Sequence, residues 1–432
     1  MRPGCRRPSA ALLVVTALAV LAGLWQVGSG GPLWRWAYPH LPRQVQGLPY
    51  RLRAALPARE RTPVPLPTTL PPEGHGAPQA SPSATLGPPL AALTRQTEAS
   101  PTASLTVPPT TDLPPNARVT GLVHAYQTWN NCGPATAGMA ISAFGPAPDQ
   151  AEIARELKPD PDDKNVSPDE IVAYLRGRQS LGATWHQGGD LTVLKALLAA
   201  GLPVIVETWF VPDPGDEMGH YRVLTGYDDV TGADGDSGRF LAHDSFLGPD
   251  RSLAYRAFDA DWRAFNRGFA PVYPLAREAE VEAILGPLAD DRSMALVALA
   301  RAQDEVAGLG DAFAWFNLGS SLLATGDPTG ASDAYDRARA VGLPWRMLWY
   351  QFGPFEAYAA IGRWPDVIAL AEANLRNASN LEESHVWLGR AAAANGDRAG
   401  ALTAFDKALR YHPGFAPAVA ARATLVAPVA DP

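Results

Sequence analysis

Two cysteines among 432 residues rule out a disulfide framework as the source of stability. One of them, Cys5, sits in a basic leader ahead of an apolar run and is badly placed to pair with the other, Cys132. In an exported chain, where disulfides are permitted, a thiol left over in the folded part suggests a use. The competing reading is a small buried hydrophobe, because free cysteine packs as one. Basic charge is also in short supply: 36 Lys and Arg face 44 Asp and Glu, a net charge of −8, and no basic stripe is interleaved with aromatics. Nucleic acid is therefore not expected as a partner, since phosphate binding needs a basic face. Cys132, His220 and Asp244 show no short ligand pair of the usual spacing, so a zinc site is not expected. Nor is a cofactor.

What is present divides into four stretches. Arg2, Arg6 and Arg7 precede an apolar run from Ala10 to about Val27. Basic residues ahead of such a run predict an N-terminus held inside and a body delivered outside. The run approaches the roughly 20 residues of a spanning helix and ends in no clear small-x-small cleavage site. Residues 1–30 are thus expected to be a signal anchor, or a signal peptide of a secreted protein if cleaved. Residues 31–117 hold much of the chain's unusual allotment of 42 prolines and carry no sustained apolar period. They read as a disordered, semi-extended linker.

Pattern resumes at Val119. CGPATAGMAISAF reads as a short helix, with Pro134 tolerated in the first turn. Ser167 followed by Glu170 is a capping-box arrangement, and Asp190 with Gly201 brackets a further helix. PVIVETWF, HYRVLTGYDD and GRFLAHDS then read as strands, the last two joined by a Gly- and Asp-rich hairpin turn. Helices followed by antiparallel strands predict an α+β domain over 118–275. From 276 to 425 helix pairs recur, with turn glycines at Gly326, Gly362 and Gly396, the tetratricopeptide period. The middle copy is degenerate, having Pro354 and Pro365 where helix is expected. The expectation is an all-α, tetratricopeptide-like repeat domain.

The chemistry gathers around Gln127-Thr-Trp-Asn-Asn-Cys132-Gly133-Pro134-Ala135. A cysteine at a helix start sees the positive end of the backbone dipoles, which favours its nucleophilic thiolate. Gly133 would let a substrate carbonyl approach, and Gln127 with the Cys132 N–H would form a two-donor oxyanion hole. His220 opens a strand after Gly219 and supplies a base that titrates near neutrality. Pairing that strand with the one ending in Asp244 would bring the carboxylate to the imidazole, fixing its tautomer. Asp228 and Asp229 are rivals for that role but read as turn residues. His186 and His243 read as surface or packing residues. Asp229, Asp234 and Asp236 read as a solvated loop and not as a calcium site.

These blocks, Q-x4-C-G-P-A, G-x-P-V-I-V, G-H-Y-x-V-L-T-G-Y and a strand ending in Asp, resemble the C39-like peptidases of the papain-like superfamily. The likeness covers roughly Val119 to Tyr273. It implies a papain-like domain with Cys132 as nucleophile, His220 as base, Asp244 as orienter and Gln127 as oxyanion donor, acting on a peptide or protein substrate. One departure is His243-Asp244-Ser245, where the family often has Asn-Asp-Pro. No ATP-binding cassette follows. Two functions stay open: an exported, membrane-tethered thiol hydrolase whose repeats bind a protein partner, or a catalytically silent C39-like binding module serving as a scaffold.

Overall fold

A computed structural model describes residues 63–68 and 113–426, apart from 161, 179, 213–214 and 231–237. The expected N-terminal anchor, most of the linker and the hairpin turn holding Asp234 and Asp236 lie outside the described residues. Among those described, no helix is long and apolar enough to cross a membrane.

The chain opens with β1 (Asn116–Arg118), followed by α1 (Cys132–Ile141), α2 (Gln150–Leu157) and α3 (Pro168–Arg178). Next come β2 (Leu181–Ala183), α4 (Leu191–Ala199), β3 (Val204–Phe210), β4 (Met218–Asp228) and β5 (Arg239–Asp244). After these follow β6 (Gly248–Ala254), α5 (Tyr255–Trp262) and β7 (Phe269–Pro274). The strands form one antiparallel sheet in the order β2-β7-β3-β4-β5-β6, with β1 continuing the β3 side of β4. Alternation along the central strands sends side chains to opposite faces. Ile205, Tyr221 and Val223 pack with α1–α3, while Val204, Val206 and Leu224 pack with α4 and α5. Both faces are thus covered, and β3 is buried at every position.

The local signals act as their chemistry requires. Ser167 Oγ accepts from the Glu170 N–H at 3.3 Å and Glu170 returns the favour to the Ser167 N–H at 2.8 Å, a closed capping box at the head of α3. Asp190 accepts from the Val193 N–H at 2.9 Å and starts α4.

Beyond β7 the described chain is helical: α6 (Glu278–Leu285), α7 (Asp291–Gly308), α8 (Ala312–Ala324), α9 (Pro328–Val341), α10 (Gly353–Ala360), α11 (Trp364–Asn377), α12 (Glu382–Ala394), α13 (Arg398–Tyr411) and α14 (Ala416–Val426). Two pairs share the same internal contacts. Gly319 of α8 lies under Tyr335 of α9, and Gly389 of α12 under Phe405 of α13, so closely that a Cβ would collide with the ring. Asp327 and Asp397 cap the second helices alike, each accepting from a glycine N–H three residues on at 2.8 Å. Pro354 and Pro365 do not break helices, contrary to expectation. Each occupies a first turn, where the missing N–H has no partner to lose.

Two boundaries shift. Disorder was expected throughout 31–117, yet residues 63–68 lie against the helical region and Asn116–Arg118 is a strand. The reason is long-range pairing that composition does not reveal. The sheet region and the helical region also share a core: Trp209 and Phe265 belong to one apolar cluster with Phe316, Tyr335 and Leu348.

Candidate active site

Cys132 is the first residue of α1, and one helical turn later Thr136 Oγ1 donates to the Tyr221 carbonyl at 3.3 Å. That bond sets the helix start beside the β4 residue following His220. The Cys132 sulfur, half-buried, hydrogen-bonds the His220 side chain and the Tyr221 backbone. His220 Nε2 meets Asp244 Oδ1 at 3.0 Å. The Asp244 carboxyl is held below the ordinary carboxylate range: burial opposes ionisation, but His220, Arg222 and the Leu247 N–H outweigh it. An ionised Asp244 can only accept, so Nε2 carries a proton and Nδ1 is the ring nitrogen left to face sulfur.

The electrostatics favour an ion pair. Burial alone would push the Cys132 thiol up; the His220 hydrogen bond and charge, the Tyr221 backbone and Lys158 together bring it below its ordinary value. Burial would lower His220, but Asp244 and the sulfur raise it to about 9. Sulfur and imidazole therefore stabilise each other as thiolate and imidazolium. Phe210 stacks on the His220 ring with centroids 4.8 Å apart, fixing its plane, and His220 is only 2% exposed.

Several contributors went unnoticed in the sequence. Arg222 stands two residues beyond His220 on β4 and so projects to the same face. Its Nε donates to Asp244 Oδ2 at 2.7 Å, and a second nitrogen donates to Thr208. The Phe246 and Leu247 N–H groups both reach Asp244 Oδ1 at 2.8 Å, completing four donors on one carboxylate. The signal for Arg222 was its spacing, a buried cation at the period of the strand.

Gln127 lies where the β5 end can hold it. Its N–H donates to the Ser245 carbonyl at 2.9 Å, and Ser245 Oγ donates to Gln127 Oε1 at 2.7 Å. With Oε1 engaged as acceptor, Nε2 is the donor end of the amide. Ser245 thus orients Gln127. Gln150 clamps the same loop, donating to the Tyr126 carbonyl at 2.7 Å and accepting from the Thr128 N–H at 2.9 Å. Lys158 Nζ donates to the Asn130 carbonyl at 3.1 Å and brings positive charge toward the sulfur.

Other expectations change or resolve. Gly133 faces Val166, where a Cβ would approach to 3.2 Å, so packing against α3's entry explains it better than substrate approach. Asp228 pairs with Arg239, and Asp229 takes Lys195 and the Tyr255 hydroxyl, so neither rival meets His220. His186 is buried and bonded to the Leu288 carbonyl at 2.9 Å; His243 accepts from the Asp250 N–H at 3.3 Å. Both are packing residues, although not at the surface. Glu207 is buried beside the sulfur, and burial followed by that neighbouring charge drives its carboxyl well above the usual range. From the helical region, Tyr350 reaches the Gly219 backbone, and Arg346 donates to Asp216 at 2.6 Å.

The family described as Peptidase_C39 like matches residues 111–269. A solved structure from Bacillus anthracis, provisionally described there as a C39-like peptidase, is 14% identical and covers 36% of this chain and 96% of its own, with a TM-score of 0.29. No curated protein matches the chain.

Proposed function

We propose that this chain is a thiol hydrolase, a cysteine peptidase of C39-like type, in which Cys132 attacks a peptide or related amide. The observation that carries the reading is the His220 imidazole, bonded at once to the Cys132 sulfur and to a buried, ionised Asp244. The thiolate adds to the carbonyl carbon, forming the C–S bond while the carbonyl π pair moves to oxygen. The Cys132 N–H and Gln127 Nε2 are the donors for that oxyanion. His220 Nδ1–H gives its proton to the leaving nitrogen as the C–N bond breaks. Water, losing a proton to the neutral imidazole, then cleaves the thioester and returns Cys132 with the acid product. Asp244 keeps a proton on His220 Nε2 and the ring in one orientation throughout, and Arg222 keeps Asp244 ionised and in place.

In this reading the N-terminal apolar run tethers the chain to the membrane with the body outside the cytoplasm, or directs secretion if it is cleaved. The helix pairs from 276 onward act as tetratricopeptide-like repeats and bind a protein partner or substrate tail. Support for the repeats comes from the matched Gly319–Tyr335 and Gly389–Phe405 contacts and the shared turn spacing.

The test compares exported peptides from cells carrying the wild-type chain with those carrying Cys132→Ala. A set of cleavage products missing from the variant is expected. Identical peptide pools would remove the peptidase reading in favour of a silent module.

A further inference from the structure

Pro63, Pro65 and Pro67 alternate with Val64, Leu66 and Thr68 in a stretch whose composition reads as plain spacer. Its contacts say otherwise. The Asn377 side-chain amide, at the end of α11, meets Val64 with both ends: the Val64 N–H donates to Oδ1 at 2.9 Å, and Nδ2 donates to the Val64 carbonyl at 2.9 Å. That is the double exchange a neighbouring β-strand makes with one residue. Leu66 follows, 7% exposed and sunk into the apolar core that also holds Tyr335, Tyr358, Val367 and Leu370. Then the Pro67 carbonyl accepts from Arg339 Nε of α9 at 2.7 Å. Arg339 is pre-aimed, being buried and held by Asp366 and the Tyr358 hydroxyl, each at 3.1 Å.

The demands of this site match a proline-rich strand closely. It supplies partners for one N–H, two carbonyls and one branched apolar side chain. Alternating prolines bring no N–H of their own that would need a partner. They also hold the chain extended beforehand, so little freedom is lost on docking. Both contributing helices are the second members of their pairs.

We infer that the α9–α11 face is a receptor for an extended peptide of the pattern Pro-Val-Pro-Leu-Pro, occupied in this chain by its own residues 63–68. The segment ahead of the sheet region is thereby stapled to the helices that follow it. Belonging to the same chain as the helices, the segment meets their face intramolecularly, ahead of any free copy of the peptide. The same peptide added in solution is therefore shut out until the internal copy is weakened.

The test uses the full chain and a fluorescein-labelled peptide of residues 61–69, followed by fluorescence anisotropy. Leu66→Asp should bind the peptide saturably, while the wild type binds it at least tenfold more weakly. Adding Asn377→Ala to Leu66→Asp should weaken binding by at least tenfold, and a peptide carrying the same Leu→Asp change should not bind. If Leu66→Asp does not fold, Leu66→Ala takes its place. Equal peptide affinity for wild type and variant, no binding to either, or indifference to Asn377→Ala would overturn the inference.

Discussion

Asp244, 0% exposed, carries its charge because four donors surround it: His220, Arg222 and the N–H groups of Phe246 and Leu247. A buried carboxylate with fewer partners would take up a proton and cease to hold the imidazole. Its alignment propagates outward through single contacts, of which Ser245 to Gln127 is the most exposed to test. On the proposed role of Gln127 as oxyanion donor, whose direct removal would cost about 100- to 1,000-fold, losing only the group that aims it should cost less. Ser245→Ala is expected to lower kcat/KM by roughly tenfold while the rate of Cys132 alkylation stays unchanged. A parallel drop in alkylation would mean that Ser245 supports the whole loop rather than the amide. The pH dependence has a definite sign as well. On the proposed mechanism His220, its proton held up to about 9 by Asp244 and the sulfur against burial, gives kcat/KM a fall above about pH 9 as the proton for the leaving nitrogen is lost.

At the scale of elements, the sequence was readable wherever a local signal and a tertiary need coincided. The capping box at Ser167, the cap at Asp190 and the apolar strands β3, β4 and β5 are all where the residues place them. Asp244 came to His220 because antiparallel pairing sets β5's end beside β4's start. What stayed hidden had no period to show. β6 is an edge strand whose side chains after the first are half-buried or exposed, α5 is a short helix of eight residues, and the docking of residues 63–68 depends on Asn377, more than 300 positions away. Ser245 was legible as a residue but not as a contact, for the same reason. The capping box offers a check on α3, whose Ile171 lies against Gly133, the residue after Cys132. Ser167→Ala should destabilise the protein by about 1 kcal/mol, read as a lowered Tm with activity kept at temperatures where it is folded.

Over the whole molecule, the helical region is built into the sheet region rather than appended to it. A shared core joins them around Trp209 and Phe265, and a buried polar seam joins α12 to the stretch ahead of α3. In that seam Asn165 Nδ2 donates to Glu383 Oε1 at 2.8 Å, and Glu382 Oε1 meets His412 Nδ1 at 3.0 Å. Burial first, and then neighbouring carboxylates, push Glu382 and Glu383 well above the usual range, and burial raises Asp163 to about 6. An acid whose folded pKa is raised binds its proton more tightly in the native state, so it costs stability as pH climbs above its unfolded value. Glu383→Gln keeps an acceptor for Asn165 without that cost. Its Tm should exceed the wild type's at pH 8, and the gap should close as pH falls toward 4.5, the ordinary glutamate value. A gap that widens on acidification would reverse the assignment.

All of this turns on whether the Cys132 sulfur is ionised by His220. The direct measurement is the rate of iodoacetamide alkylation of Cys132 across pH, followed on its own peptide by mass spectrometry to separate it from Cys5. Wild type should reach half its maximal rate below pH 9.0, the ordinary thiol value, and His220→Ala should move that midpoint back up toward or beyond it. Superimposable profiles for the two proteins would contradict the account.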